Sequence, residues 1–103
     1  MEVMYLPQVE KFVRKLEPRL AYRVMRSIDF IQQHGSLLGM PISKSLGKGL
    51  FELRIVGNTH VRMFYCFHSH KAYLLHAIIK KQQSIPKHDL ALARKALKWV
   101  VAQ

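Results

Sequence analysis

Acidic residues are scarce in this chain: its 103 residues hold six Asp and Glu against 17 Lys and Arg, a formal net charge of +11. Solubility alone does not account for such an excess, which points to a polyanionic partner: nucleic acid, an anionic membrane surface or an acidic protein. Cysteine is nearly absent. A lone Cys66 excludes an internal disulfide and a cysteine-based zinc site, and so suits a reducing cytoplasm. Long apolar runs are missing as well, since none approaches the roughly 20 residues that cross a bilayer. The N-terminal MEVMYLPQVEKFVRKL carries an early acid and no continuous apolar run, so it reads as neither a signal peptide nor a transit sequence. No Gly-rich phosphate loop is found, because GKGL after Leu46 lacks the length and the terminal Lys-Ser/Thr of a P-loop. The serines form no nucleophile-elbow pattern.

Apolar residues, in contrast, make up 50% of the chain, enough for a proper core. A single domain over residues 1–103 is expected to bury roughly 60–70% of the surface its unfolded chain exposes. Met1 to Leu6 reads as an edge strand ended by Pro7. Val9, Phe12, Val13 and Leu16 then recur at spacings of three and four, the mark of a short amphipathic helix with Pro7 near its first turn. Pro18 starts a second helix with Leu20, Val24, Ile28 and Ile31 on its inner stripe, and Gly35 stops it. Ser36 to Gly49, with Gly39, Pro41, Gly47 and Gly49, reads as a long loop.

Three apolar stretches follow, LFELRI, VRMFYCFH and AYLLHAIIKK, separated by Gly57-Asn58 and by His68-Ser69-His70-Lys71. They predict an antiparallel three-strand meander. The second, apolar on both faces, should be central. Pro86 begins a last helix reaching about Val101, with Leu90, Ala93 and Leu97 inward and Arg94, Lys95 and Lys98 outward.

Each strand carries or ends in basic residues: Arg54, Arg62 and the pair Lys80-Lys81. Strand alternation puts Glu52 with Arg54 on one face, and His76 with Ile78 and Lys80 on one face of the third strand. Should these faces coincide with that of Arg62, they make a concave basic patch, although Glu52 is also placed to quench Arg54. His60, His68, His70 and His76 lack the spacing and the supplementary acids of a metal site. Cys66, in an apolar strand, reads as core.

The run KSLGKGLFELRI, then VRMFYCF, then LLHAIIKKQQSIP and a basic helix, from Lys44 to Leu97, resembles the HigB-type toxins of type II toxin–antitoxin systems. These are a phage-derived branch of the RelE/ParE superfamily. The upstream LPQVEKFVRKLEPRLAYRVMRSIDFIQQHGSLLGMP is similar to the same family's two leading helices. The resemblance implies a small α+β RelE-like fold: an N-terminal strand and two helices, then the three-strand meander and a C-terminal helix. It further implies a cytoplasmic endoribonuclease that needs no cofactor, cuts mRNA in the ribosomal A site, and is silenced by a helix-turn-helix antitoxin. Operator DNA would be met only through the antitoxin complex, and no membrane is involved. The family's strand-borne basic positions fall on Arg54, Arg62, Lys80 and Lys81. Lys44 and Lys48 follow as contacts to the RNA backbone, with Lys87 a further RNA-binding candidate. Two departures stand out. Ile85 precedes Pro86 where relatives tend to carry a helix-capping Thr, and Ala77-Ile78 replace Gly-Phe after the histidine.

RNA can be cut through attack of its own 2'-hydroxyl on the adjacent phosphate, which asks an enzyme for position, positive charge and proton transfer. Arg62 is the first choice for a clamp, since its planar fork can grip two phosphate oxygens. Lys80 or Lys81 would orient the phosphate or accept a proton, His76 is the strand histidine best placed as acid or base, and Tyr65 is a candidate to stack on a base. Two other classes remain open. One is a non-enzymatic toxin-fold protein that binds gyrase or nucleic acid, or a degenerate toxin acting with its antitoxin on operator DNA. The other is a basic structural RNA-binding module.

Overall fold

The computed structural model describes residues 1–39 and 42–103. Its elements run β1 (Glu2–Tyr5), α1 (Pro7–Arg14), α2 (Pro18–His34), a 3-10 turn (Gly35–Leu37), β2 (Ser43–Gly47), β3 (Leu50–Ile55), β4 (Val61–His68), β5 (Lys71–Ile79) and α3 (Lys87–Val101). The strands form one sheet in the order β1-β5-β4-β3-β2. All neighbours are antiparallel except β1, which lies parallel to β5 along Lys71 to Leu74 only. This is the expected α+β architecture, with β4 central.

Both faces of the sheet are covered, and the hydrophobic pattern dictates by what. Val9 of α1 and Leu20, Val24, Ile28 and Ile31 of α2 pack against Leu53, Ile55, Val61, Met63, Tyr65 and Leu74. On the opposite face Ala93, Ala96 and Val100 of α3 meet Leu50, Phe64, Cys66 and Leu75. Alternate residues of β4 therefore serve two cores, which is why that strand is apolar on both faces. Pro7 and Pro18 open their helices at the first position, where a missing N–H costs nothing. Glu17 accepts a 2.7 Å hydrogen bond from the Leu20 N–H and caps α2, and Gly35 ends that helix at φ 55°.

Three local readings change. The segment read as a loop contains a fifth strand, β2; it is a sheet edge of sequence SKSLG, largely polar, so it lacks the apolar alternation that betrays a strand. Met40 and Pro41 of that segment lie outside the described residues. The turn after β4 is tighter than expected: Ser69 and His70 alone connect the strands, both at positive φ (51° and 63°), the type I' geometry that matches strand twist. Arg94 does not simply face outward, because it donates to the carbonyls of Gly47 and Leu46 (2.8 and 2.9 Å) and ties α3 to the end of β2.

Candidate functional site

Two rows of side chains cross the α3-facing side of the sheet. Register aligns Lys44, Glu52, Phe64 and His76 in one, and Arg54, Arg62 and Ile78 in the next. A bulge makes this possible: the β4–β5 pairing shifts after Phe64–His76, so that Tyr65 pairs with Leu74 and Leu75 is the extra residue. Without that insertion His76 would face α1 and α2. The faces of Arg62 and His76 thus coincide, beside the first turn of α3.

Charge within the rows is tightly organised. Glu52, 2% exposed, accepts from Arg54 Nε at 3.2 Å through one oxygen and meets Arg62 Nε at 3.4 Å through the other. Arg54 is accordingly quenched by Glu52, the arrangement that the shared face had suggested. Arg62 is 5% exposed, and its Nη2 donates to the carbonyls of Gln82 (2.9 Å) and Gln83. The guanidinium thereby fastens the segment that leaves β5. Its fork, assigned from sequence to a phosphate, is in large part spent on Glu52 and on this backbone.

The free cations lie just beyond. Lys80 extends β5 through its N–H to the His60 carbonyl (2.8 Å), and the exposed Lys81 follows. These two lysines and Gln82 separate two hollows. One, of about 420 Å³, is bordered by Arg62, Ile78, Ser84, Pro86 and Asp89. The other, of about 480 Å³, is bordered by Asn58, Thr59, His60 and Gln83. A chain of phosphates laid over this corner would meet both ammonium groups and exposed amide side chains.

His76 stacks on Phe64 with ring centroids 6.1 Å apart, and its Nε2 lies 2.9 Å from Asp89 Oδ1. Sequence reasoning missed Asp89. A signal was available, since it is the only carboxylate after Glu52 and sits in the first turn of α3, where a negative charge suits the helix dipole. Its placement also bears on the helix start. The residue at the N-cap is Pro86 and no side chain caps there, Ser84 included, so Asp89 is the compensating group in that turn.

Other candidates lie elsewhere. Lys44 is exposed on the edge strand, three strand spacings from β5, or roughly 14 Å. Lys48, at φ 53° in the β2–β3 turn, belongs to the opposite end of the sheet from Arg54, roughly 15 Å along the strand. Lys87 is exposed in the first turn of α3, close in sequence to the hollow's rim. Tyr65 has no surface for a base to stack on. It is 1% exposed, faces the α1–α2 side, stacks on Phe51 and shares a hydrogen bond with Ser43. Burial raises its pKa, with the Ser43 bond opposing.

Cys66 is fully buried, and burial pushes its thiol up to about 11 from 9.0. A thiol that ionises more readily unfolded than folded gives stability that is complete below about pH 9 and is lost as pH rises toward 11. The whole effect amounts to about 2–3 kcal/mol. Urea melts at pH 7 and pH 10.5 should therefore show a smaller alkaline loss in Cys66→Ala than in the parent chain, and equal losses would assign the thiol no part.

Among the described residues, no group of three or more His, Cys, Asp or Glu is placed to hold a metal ion, and no helix is long and apolar enough to cross a membrane. No curated protein matches the chain. The family of phage-derived Gp49-like proteins (DUF891) matches across residues 11–98, from α1 almost to the end of α3, and the chain belongs to that family.

Proposed function

We propose that this protein is the toxin of a type II toxin–antitoxin system, of HigB type, and that it cuts messenger RNA on the ribosome. The observation that carries this reading is the corner where Arg62, Lys80 and Lys81 converge, with Asp89 and His76 behind it. Membership of a phage-derived family and a net charge of +11 are consistent with it.

In this reading the RNA phosphate sits against Lys80 and Lys81. The 2'-hydroxyl oxygen bonds to phosphorus, its proton passes to a base, and the bond from phosphorus to the 5'-oxygen breaks as that oxygen takes up a proton. The products are a 2',3'-cyclic phosphate and a 5'-hydroxyl. Ammonium groups that follow the charge developing on the phosphoryl oxygens lower the barrier, each by a factor on the order of 10²–10³. Arg62 acts as a positioning residue: by holding the Gln82 and Gln83 carbonyls it fixes the backbone that carries the lysines. His76 is the proton-transfer candidate, oriented by Asp89 in the manner of a carboxylate–imidazole pair.

Mapping transcript ends after induced expression tests the proposal. Codon-phased cuts ending in cyclic phosphates, confined to translated messages, are expected, together with resistance of substrates that carry 2'-deoxyribose at the scissile position. DNA-damage signalling without transcript cuts would overturn it in favour of a gyrase-directed protein. Tight, salt-sensitive RNA binding without growth arrest would reduce it to a binding module.

A further inference from the structure

At the bulge of β5 the sheet edge changes its neighbour. The pairing of β1 with β5 ends at Tyr5 and Leu74. Leu6 still donates its N–H to the Leu74 carbonyl at 3.1 Å, but Pro7 has no N–H to give and starts α1, which turns the backbone away. Leu75, the extra residue of the bulge, comes next on β5. A bulge leaves its extra residue outside the ladder, and a partly buried carbonyl without a partner costs free energy. The Gln8 side chain supplies the donor: its Nε2 reaches the Leu75 carbonyl at 3.0 Å, across 67 residues of chain. In an unbroken strand successive carbonyls point to opposite edges, whereas those of Leu74 and Leu75 are both met by the start of α1. Two bonds from one helix terminus thus hold the inserted residue in place.

We propose that Gln8 is a positioning residue for His76, a role that rests on His76 being the proton-transfer group of a nuclease. Side chains alternate with a period of two, so everything after an inserted residue changes face. With Leu75 bulged out, His76 projects to the α3 side, stacks on Phe64 with ring centroids 6.1 Å apart and meets Asp89 Oδ1 at 2.9 Å. A bulge that slid past His76 would send the imidazole toward α1 and α2, away from Asp89. Gln8 opposes that slip, because the carbonyl it holds belongs to the residue just before His76. Gln8 itself is exposed, so changing it does not open the core. Its effect falls on the aim of the imidazole, and hence on the rate of proton transfer rather than on RNA binding.

Gln8→Glu keeps the size of the side chain, adds a negative charge that suits the first turn of α1, and removes the N–H donor, so stability and positioning part company. Its melting temperature is expected to match or exceed that of the parent. Nuclear Overhauser contacts between the His76 and Phe64 rings should nevertheless be lost, in Gln8→Glu and in the uncharged Gln8→Leu alike. Cleavage of ribosome-bound message at saturation should fall about 10-fold in both, with the half-saturating concentration unchanged, against a loss on the order of 10²-fold in His76→Ala. Added to His76→Ala, Gln8→Glu should cost less than a further factor of about two, since substitutions that act through one group do not multiply. Ring contacts retained in folded Gln8→Glu, or a further loss of about 10-fold in the His76→Ala background, would overturn the assignment. A parent chain that cuts no RNA would remove the nuclease reading alone. The ring contacts then still decide for Gln8: lost in Gln8→Glu they support its hold on His76, and kept they overturn it.

Discussion

Arg62→Ala is expected to cost about 3–5 kcal/mol of folding stability, the largest loss from any single charged residue at this corner. Arg62 is 5% exposed and lies between Glu52, 2% exposed, and two backbone carbonyls of the segment after β5. Removing it leaves a buried carboxylate whose one other ion-pair partner among the described residues is the more exposed Arg54, and takes a charged donor from Gln82 and Gln83. Breaking one side of a buried pair leaves the other charge uncompensated, which is why the cost exceeds the net value of the pair itself. Arg54→Ala should cost less than about 1 kcal/mol, because its guanidinium is 40% exposed and water can take its place. Arg62→Lys should fall between the two, keeping the charge and losing the fork. Urea denaturation of the three variants checks the order, and a loss below about 1 kcal/mol for Arg62→Ala would show that the Glu52 cluster tolerates solvent. The same geometry governs how activity data are read. Loss of toxicity in Arg62→Ala alone does not make Arg62 a phosphate clamp, since the lysine-bearing backbone moves with it.

The sequence carried the sheet's centre plainly and its edge poorly, for one reason. β4 is buried on both faces, so every residue from Val61 to Cys66 reports burial, whereas β2 is a polar edge whose backbone pairing leaves almost no side-chain trace. Both helix stripes were legible because Val9, Leu20, Val24, Ile28 and Ile31 repeat with the helical period and are all buried. Strand alternation foresaw that Glu52 shares a face with Arg54. It did not foresee that Glu52 would also hold Arg62, because cross-strand partners follow from register, and register depends on turn lengths that composition leaves open. The bulge at Leu75 is likewise invisible in an apolar run, yet it decides on which side His76 emerges. Asp89 was overlooked since its partner lies 13 residues away on another element, and Tyr65 was misjudged because an aromatic on a central strand can face either core.

The double substitution Lys80→Ala/Lys81→Ala is expected to reduce cleavage of ribosome-bound message by about 10³-fold or more while leaving the fold intact, since one or two well-aimed cationic donors carry effects of that order. Neither lysine is held in an ion pair among the described residues, and the N–H of Lys80 that bonds the His60 carbonyl is kept in alanine, so folding has little to lose. That separation of stability from rate is what distinguishes these positions from Arg62, where the two fall together. Single variants should share the loss unequally. Both lysines border the two hollows, but Lys81 is the more exposed and suits a role in drawing in the backbone, whereas the half-buried Lys80 suits the fixed contact with the phosphoryl oxygens. Lys81→Ala should then act mainly on the concentration dependence and Lys80→Ala mainly on the rate at saturation, because an interaction equal in ground and transition states changes only binding. RNA affinity supplies a second readout: losing two phosphate contacts should flatten the logarithmic salt slope by about 1.4 for a single strand. A folded double variant that cleaves within about threefold of the parent would remove both lysines from the chemistry, for a donor touching the transition state is worth far more than that. It would then leave Arg62 as the cation to test next.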